Sequence, residues 1–240
     1  MPTLDETLKR LAVTFTVRDI MILGKALVCA GDEVDAIRVS KDNPDFSIIP
    51  IRRNGEVGEY FERDSRTTNA ITLSDVIGDG TDLLELVDIF VEREFCFVMC
   101  YRQVGGYIHY SDLNHDLVKL TFYVILQAVE RKVLGSLRVK DTDQSEYLSR
   151  WLPDRFDQIQ RQYRRDGDAA RGLFNYLNIS DILRLGVKAG TIQVDDSLVK
   201  PMKETRDGAA HVSENLVADY ESVKMLARVK QECLRILAAI

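Results

Sequence analysis

An internal repeat in the first half of the chain constrains its fold more than any other feature. The apolar run Phe46–Ile51 recurs as Phe95–Cys100, and each run has the length and composition of a strand. Each is followed by a turn and then by a glycine-led segment, Gly58–Asp64 in the first copy and Gly106–Asp112 in the second. Because self-similarity along a chain marks a repeated supersecondary unit, we expect two similar units in this half.

Helical patterns precede both strand runs, and a third pair of segments, Thr16–Ile20 and Thr72–Val76, also corresponds. The order helix, strand, tight turn, strand and Asp-led helix is therefore expected twice, in repeats at about residues 10–66 and 67–116. This predicts an α/β region of two small sheet-and-helix units packed against each other. The apolar residues of the two candidate helices are Val34, Ile37 and Val39 in the first copy, and Leu83, Leu84, Leu86 and Val87 in the second.

The strand–turn–strand spacing and the glycine-to-aspartate segment resemble a tandem pair of CBS domains spanning roughly residues 10–116. In that family the segment consists of Gly, two apolar residues, Thr or Ser, two further residues and Asp. The second copy keeps Gly106 and Asp112 but has His109 at the hydroxyl position. The resemblance implies a regulatory adenine nucleotide such as AMP, ADP or ATP, with Asp112 on its ribose hydroxyls and a protonated His109 on its phosphate.

The first copy departs further from this pattern. It keeps Gly58 and Asp64, but Phe61 occupies the hydroxyl position, where a phenyl ring cannot bind a phosphate. The resemblance therefore favours the second half-site over the first. The alternative is that Asp64 and Asp112 are only N-caps of helices that follow strands, because an aspartate accepts hydrogen bonds from free backbone N–H groups.

From residue 117 onwards the apolar periodicity becomes helical, and Pro153 is expected to end or restart a helix. Residues 117–240 are thus expected to form an all-α helical bundle, and residues 1–116 the α/β region. The first helix of the bundle is predicted from apolar residues at three-, four- or six-residue steps, namely Leu117, Leu120, Val124, Ala128 and Leu134.

Near the C-terminus, Arg206 and Asp207 are followed by three residues and then by His211. This motif, with Glu130 and Arg131 at the end of the first predicted helix, resembles the HEPN superfamily of small helical bundles that dimerise. The resemblance implies metal-independent cleavage of RNA by the substrate's own 2′-hydroxyl. In that reaction His211 transfers a proton and Arg206 stabilises the charge on the phosphorane. Asp207 orients either Arg206 or His211. A homodimer would place two such pairs across one cleft.

The spacing of this motif sets a geometric condition. Five residues along a regular helix rotate by about 140°. Arg206 and His211 therefore converge only if Gly208 relaxes the backbone between them, with the next helix starting near Ser213. The alternative is an arginine–aspartate ion pair beside a helix-start histidine, with no chemistry.

The net charge of −6 and a pI of about 5.2 exclude a basic footprint for nucleic acid over the whole protein, so any RNA contact must be local. The chain has no run of about 18 apolar residues that would cross a membrane. Its four cysteines are scattered, and no cluster has metal-ligand spacing. We therefore expect a cytoplasmic protein that needs no metal. The arginines concentrate between Arg150 and Arg171, where they could guide RNA to the helical domain. Because aspartates interleave with them, the same stretch also fits a solvated helix face with salt bridges.

Three functions fit these patterns. The first is an adenine-nucleotide-regulated, metal-independent endoribonuclease of the HEPN type. The second is a non-catalytic nucleotide sensor or scaffold whose helical domain dimerises or holds a partner. The third is a DNA-binding regulator, for which the only support is a weak helix-turn-helix pattern at Asn178–Val187.

Overall fold

The computed structural model describes residues 15–23, 26–137, 143–166, 172–211 and 213–240. The described chain is mixed α/β, with two small sheets and eight α-helices. It divides into two compact units with a boundary at Leu117 and Val118. All the described strands lie in the first unit.

The strands of the first unit form two separate sheets, with the orders β1-β7-β6-β5 and β2-β3-β4. Neighbouring strands are antiparallel except β5 and β6, which are parallel. The strands are β1 (Ile22–Leu23), β2 (Ile48–Arg53), β3 (Glu56–Glu62), β4 (Thr67–Ala70), β5 (Val76–Gly78), β6 (Phe95–Cys100) and β7 (Gln103–His109). The helices are α1 (Glu33–Asp42) and α2 (Leu83–Glu92), with 3₁₀ turns at Val17–Asp19, Leu73–Asp75 and Tyr110–Asn114.

Both predicted strand–turn–strand segments are confirmed as hairpins. Asn54 and Gly55 join β2 to β3 with positive φ angles of 52° and 89°, as a tight hairpin turn of the Asn-Gly type requires. Tyr101, at φ 59°, lies in the turn between β6 and β7. An aromatic cluster connects the two sheets, since the ring of Tyr60 in β3 lies 5.5 Å from those of Phe95 and Phe97 in β6.

The correspondence between Thr16–Ile20 and Thr72–Val76 is visible in the backbone. Each begins with a 3₁₀ turn in which the backbone N–H of the threonine donates a 2.8 Å hydrogen bond to the aspartate three residues later. Such a capping box satisfies donors that a helix start leaves unpaired. The threonine and the aspartate that the two segments share, three residues apart, therefore produce the same local structure in both.

The two candidate helices form. In α2 all four named apolar residues are buried, whereas in α1 only Val39 of the three named residues packs against the core. In α1, Val34 and Ile37 are exposed, and Ala36 instead packs in the core with Ile49 and Phe61. The reason is that the small Ala36 permits close approach of the helix to the sheet, whereas the bulkier Val34 and Ile37 lie on the other face. The buried residues of α2 are Leu83, Leu84, Leu86, Val87 and Phe90.

The expected Asp-led helix is absent from the first copy. After β3 the chain turns through Asp64 and Arg66, which has a positive φ of 54°, and then continues as β4. The threonine-rich sequence of β4 favours a strand, and it pairs antiparallel with β3. In the second copy a 3₁₀ turn and then a helix follow β7.

The described residues from Val118 onwards contain helices and no strand. Pro153 begins a helix directly after another has ended at Trp151, as predicted. Among the described residues, no helix is long and apolar enough to cross a membrane. The helices are α3 (Asp116–Leu137), α4 (Gln144–Trp151), α5 (Pro153–Asp166), α6 (Ile179–Lys188), α7 (Asp196–Ala210) and α8 (Tyr220–Ala239).

Arg206 and Asp207 lie in the last turns of α7, and His211 follows the last residue of this helix. Gly208 is buried within this helix, so the expected relaxation of the backbone at Gly208 is wrong. A Cβ atom there would come within 3.4 Å of the carbonyl oxygen of Asn215, so the glycine permits close packing of the following loop. The next helix begins at Tyr220 rather than near Ser213, because Asp219 caps it by accepting from the backbone N–H of Ser222.

Candidate functional site

The first unit contains a cavity of about 270 Å³. This volume is near the lower end of the range of small-molecule pockets, which is roughly 300–1,000 Å³. The cavity brings together the end of β7 and the segment that leads into β2. The residues that line it are Ile22, Ala26, Leu27, Val28, Asp45, Phe46, Ser47, Ile48, Pro50, Tyr107, His109, Ser111 and Asp112.

The wall of the cavity is mainly apolar, and part of it is open to solvent. Leu27 and Ile48 are buried, but Ile22, Val28 and Phe46 are each about 40% exposed, at 40%, 40% and 38%. Exposed apolar side chains that converge on one concave surface are a common feature of ligand sites, because a bound ring can remove them from water.

Gly106 brings β1 close to β7 at the edge of this cavity. It pairs with Leu23 across the two strands. A Cβ atom at this position would lie 2.7 Å from Sδ of Met21 and 3.0 Å from the carbonyl oxygen of Ile22. The glycine predicted from the motif therefore shapes the cavity wall through backbone packing, since Ile22 is part of that wall.

The His109 imidazole lines the cavity, and its burial there favours the neutral ring. Burial lowers its pKa below the ordinary value of 6.5. The backbone N–H of Ser111 donates to Nδ1 of His109 at 3.3 Å, and Oγ of Ser111 lies 2.9 Å from the same nitrogen. Nδ1 is therefore the acceptor, which leaves the ring proton on Nε2. Since the expected phosphate contact requires a protonated ring, this environment disfavours it.

The Asp112 carboxylate also lines the cavity, and it serves the backbone at the same time. Its Oδ2 accepts a 2.8 Å hydrogen bond from the N–H of His109 and so closes a capping box at the start of the 3₁₀ turn. Burial raises the pKa of Asp112, opposed by that hydrogen bond and by His115. The N-cap of this turn is His109, so the assignment of Asp112 as an N-cap is wrong. Asp112 is the third residue of the capping box, and its carboxylate satisfies the backbone N–H of the N-cap.

The predicted residues of the first copy are not brought into the same site. The side chain of Asp64 is 87% exposed and lies in a turn, 4.0 Å from Nε of Arg63. Phe61 is buried in the core. Gly58 lies in β3 and borders a different opening, lined also by Val57 and Arg102. The cavity with apolar walls therefore contains His109 and Asp112 of the second copy, and neither Phe61 nor Asp64 of the first.

Sequence reasoning missed the other wall of the cavity. Phe46 and Ile48 were recognised only as part of a strand, and Asp45 and Leu27 were not identified at all. The weak signal was the apolar Ala26–Val28 segment, which is separated from α1 by several residues. Nothing in the local pattern indicates that this segment packs beside a loop more than fifteen residues further along the chain.

In the helical unit, Arg206 projects from α7 to α3. Its Nε lies 3.4 Å from Oε1 of Glu130, and its guanidinium carbon lies 5.6 Å from the centre of the Tyr123 ring. Gln127 also donates to Oε2 of Glu130 at 2.7 Å. Burial raises the pKa of Glu130, opposed by Arg206. The structure thus brings together Arg206 and Glu130, two polar residues on which the HEPN resemblance rests.

Arg206 and Asp207 border a polar cavity of about 280 Å³. Asp207 accepts a 2.6 Å hydrogen bond from Lys203 one helical turn earlier. Arg155, on the same cavity, is held by a two-point contact with Asp181, at 3.0 and 3.2 Å. Neutral polar side chains complete this lining, namely Gln162, Asn175, Tyr176 and Asn178, together with the residues Leu177 and Ile179.

His211 lies just beyond the last residue of α7, with extended backbone angles, and it is exposed. Among the described residues that line the cavity beside Arg206 and Asp207, His211 is absent. Arg206 and Asp207 therefore line this cavity without His211.

Comparison of the chain with models of known protein families, with characterised proteins and with solved structures finds no match.

Proposed function

We propose that the chain is a sensor of an adenosine-containing ligand, such as an adenine nucleotide, and that the ligand binds in the cavity beside β7. The observation that carries this proposal is that His109 and Asp112 face an open apolar cleft. The CBS resemblance selects the same two residues from the sequence. In the first copy, where the motif is less complete, Phe61 lies in the core.

The chemistry of the cavity suits a nucleoside. A flat base can pack against Phe46 and Ile48 and remove their apolar surface from water. Oδ2 of Asp112 is occupied by the backbone, but Oδ1 can accept from a ribose hydroxyl, as carboxylates do in other nucleotide sites. Nε2 of His109 can donate to a ring nitrogen or a hydroxyl.

A thermal unfolding titration of the whole chain tests the proposal. Adenosine and AMP are added separately, and binding raises the melting temperature because the ligand binds only the folded state. At 100 times its Kd a ligand adds about 2.7 kcal/mol to the free energy of unfolding. Absence of a shift with both compounds would contradict the proposal.

The variant Phe46→Ala should reduce the ligand-induced shift while the chain still folds, because the side chain is already 38% exposed. Tyr101→Ala is the matched control. Tyr101 is another exposed aromatic residue of the same unit, at 95%, and it does not line this cavity. An equal loss of the shift in both variants would show that the cavity is not the binding site.

A second candidate function, cleavage of RNA, is favoured by the polar cavity that contains Arg155, Arg206 and Asp207. In this cavity Arg155 and Arg206 are already paired with Asp181 and Glu130, so a phosphate diester would have to share these cations with the two carboxylates. The expected activity is cleavage of single-stranded RNA in EDTA, leaving a cyclic phosphate. His211→Ala tests it, since removal of an exposed side chain after α7 should not affect folding. Cleavage at the wild-type rate would remove His211 from the mechanism.

A further inference from the structure

The charge of the cavity in the first unit restricts what it can bind. Among the described residues that line it, the formally charged ones are Asp45 and Asp112, and none is a lysine or an arginine. Sites that bind phosphate groups usually supply a cation or several free backbone N–H groups. The described lining supplies two carboxylates, an imidazole, two serine hydroxyls and the phenol of Tyr107 instead.

The backbone at the end of β7 does not replace a cation. The 3₁₀ turn after this strand would offer its first N–H groups to an anion. However, the N–H of His109 already donates to Asp112, and the N–H of Ser111 already donates to Nδ1 of His109. The N–H of Tyr110 donates to the carbonyl oxygen of Glu94 at 2.8 Å, so these three backbone donors at the helix start are already occupied.

We propose that the cavity selects an uncharged nucleoside, adenosine or a close relative, and discriminates against its phosphorylated forms. This inference rests on the proposed function and names the ligand class of the same site. A 5′-phosphate adds a charge of about −2 to the ligand, and the cavity that would hold this ligand is lined by the carboxylates of Asp45 and Asp112. In a partly solvated cleft the resulting repulsion reduces affinity by about tenfold or more.

Isothermal titration calorimetry with the whole chain tests this selectivity. Adenosine, AMP and ATP are titrated separately in buffers of low and high ionic strength. Adenosine should bind at least about tenfold more tightly than AMP, and AMP more tightly than ATP. The ratio should decrease at high ionic strength, because salt screens the repulsion at this open cleft.

The variant Asp45→Asn should bring the AMP affinity closer to the adenosine affinity. It removes one of the two carboxylates without changing the size of the side chain. Glu92→Gln is the matched control for charge. Glu92 is an exposed residue at the end of α2 and does not line the cavity, so this variant should keep the wild-type ratio.

The outcomes separate the two proposals. AMP or ATP binding as tightly as adenosine would overturn the selectivity but leave the proposed function standing. A ratio that changes neither in Asp45→Asn nor with salt would also overturn it, because the preference would not be electrostatic. Failure of all three compounds to bind would overturn the selectivity together with the proposed function.

Discussion

The backbone N–H of His109 and Oδ2 of Asp112 are joined by a 2.8 Å hydrogen bond that closes the 3₁₀ turn after β7. The same two residues present their side chains to the cavity of the first unit. The segment thus has a structural role and a proposed binding role at once. Substitutions at Asp112 therefore have to be designed so that the two roles can be separated.

Asp112→Asn should keep the turn intact, because the amide oxygen can still accept from His109. Since burial raises the pKa of Asp112, a neutral side chain also avoids the desolvation of a carboxylate near pH 7. We expect a free energy of unfolding at or above that of the wild type in urea titrations. Asp112→Ala removes the acceptor and should cost about 1 kcal/mol.

Asp19 provides the control for this pair of variants, because it closes the equivalent turn and is exposed. Asp19→Ala should cost a similar amount, whereas Asp19→Asn should bring no gain. If Asp112→Asn were as destabilising as Asp112→Ala, the carboxylate charge itself would stabilise the turn, against our expectation.

The stability of the first unit should decrease in mild acid because of His109. Its folded pKa lies below the ordinary value of 6.5, so the unfolded chain binds a proton at this residue at higher pH than the folded chain does. The contribution of a neutral His109 to the free energy of unfolding is therefore fully present above about pH 6.5. It is lost as the pH falls from there through the folded pKa. His109→Gln should lose less stability than the wild type over this interval in urea titrations at several pH values. Identical pH profiles would contradict this account.

Gly106 and Gly58 stand at equivalent positions of the repeat but in different surroundings. Gly106→Ala places a methyl group 2.7 Å from Sδ of Met21 and 3.0 Å from the carbonyl oxygen of Ile22. We expect a loss of about 1–3 kcal/mol in unfolding experiments, because β1 or Met21 must move. Gly58→Ala meets no atom within 4 Å and should be tolerated. Equal losses would indicate that the spacing between β1 and β7 does not depend on Gly106.

Arg206 should stabilise the helical unit whether or not it takes part in catalysis. The side chain of Glu130 is only 13% exposed, so Arg206→Met removes the cation nearest to a largely buried carboxylate and leaves it the hydrogen bond from Gln127. We expect a loss of about 1–3 kcal/mol in urea unfolding. The double variant Arg206→Met/Glu130→Gln should recover part of it, because the remaining partner is neutral.

This recovery matters for the interpretation of any ribonuclease assay. Loss of RNA cleavage in Arg206→Met alone would be ambiguous, since the fold is weakened as well. If the double variant were no more stable than Arg206→Met, the charge on Glu130 would not be what destabilises Arg206→Met. The ion pair would then contribute nothing to the free energy of unfolding.

The sequence was a good guide wherever neighbouring residues decide the structure. The two predicted hairpins and the helix start at Pro153 depend on positions at most a few residues apart, and the corresponding segments at Thr16 and Thr72 form the same turn. The failures have a different origin. Val34 and Ile37 are apolar at helical spacing, yet the sheet contacts the face that carries Ala36. The choice of face was made by packing, which the period alone does not show.

By itself the sequence predicted two strand–turn–strand segments in the first half, the helical character of the second half, and a histidine and an aspartate at the end of the second hairpin. Only the tertiary structure decided that these two residues share a cavity with Phe46 and Asp45, and that Arg206 pairs with Glu130 on another helix. Caps and turns follow from hydrogen bonds within three or four residues, whereas a cavity depends on side chains that meet only after distant segments have packed together.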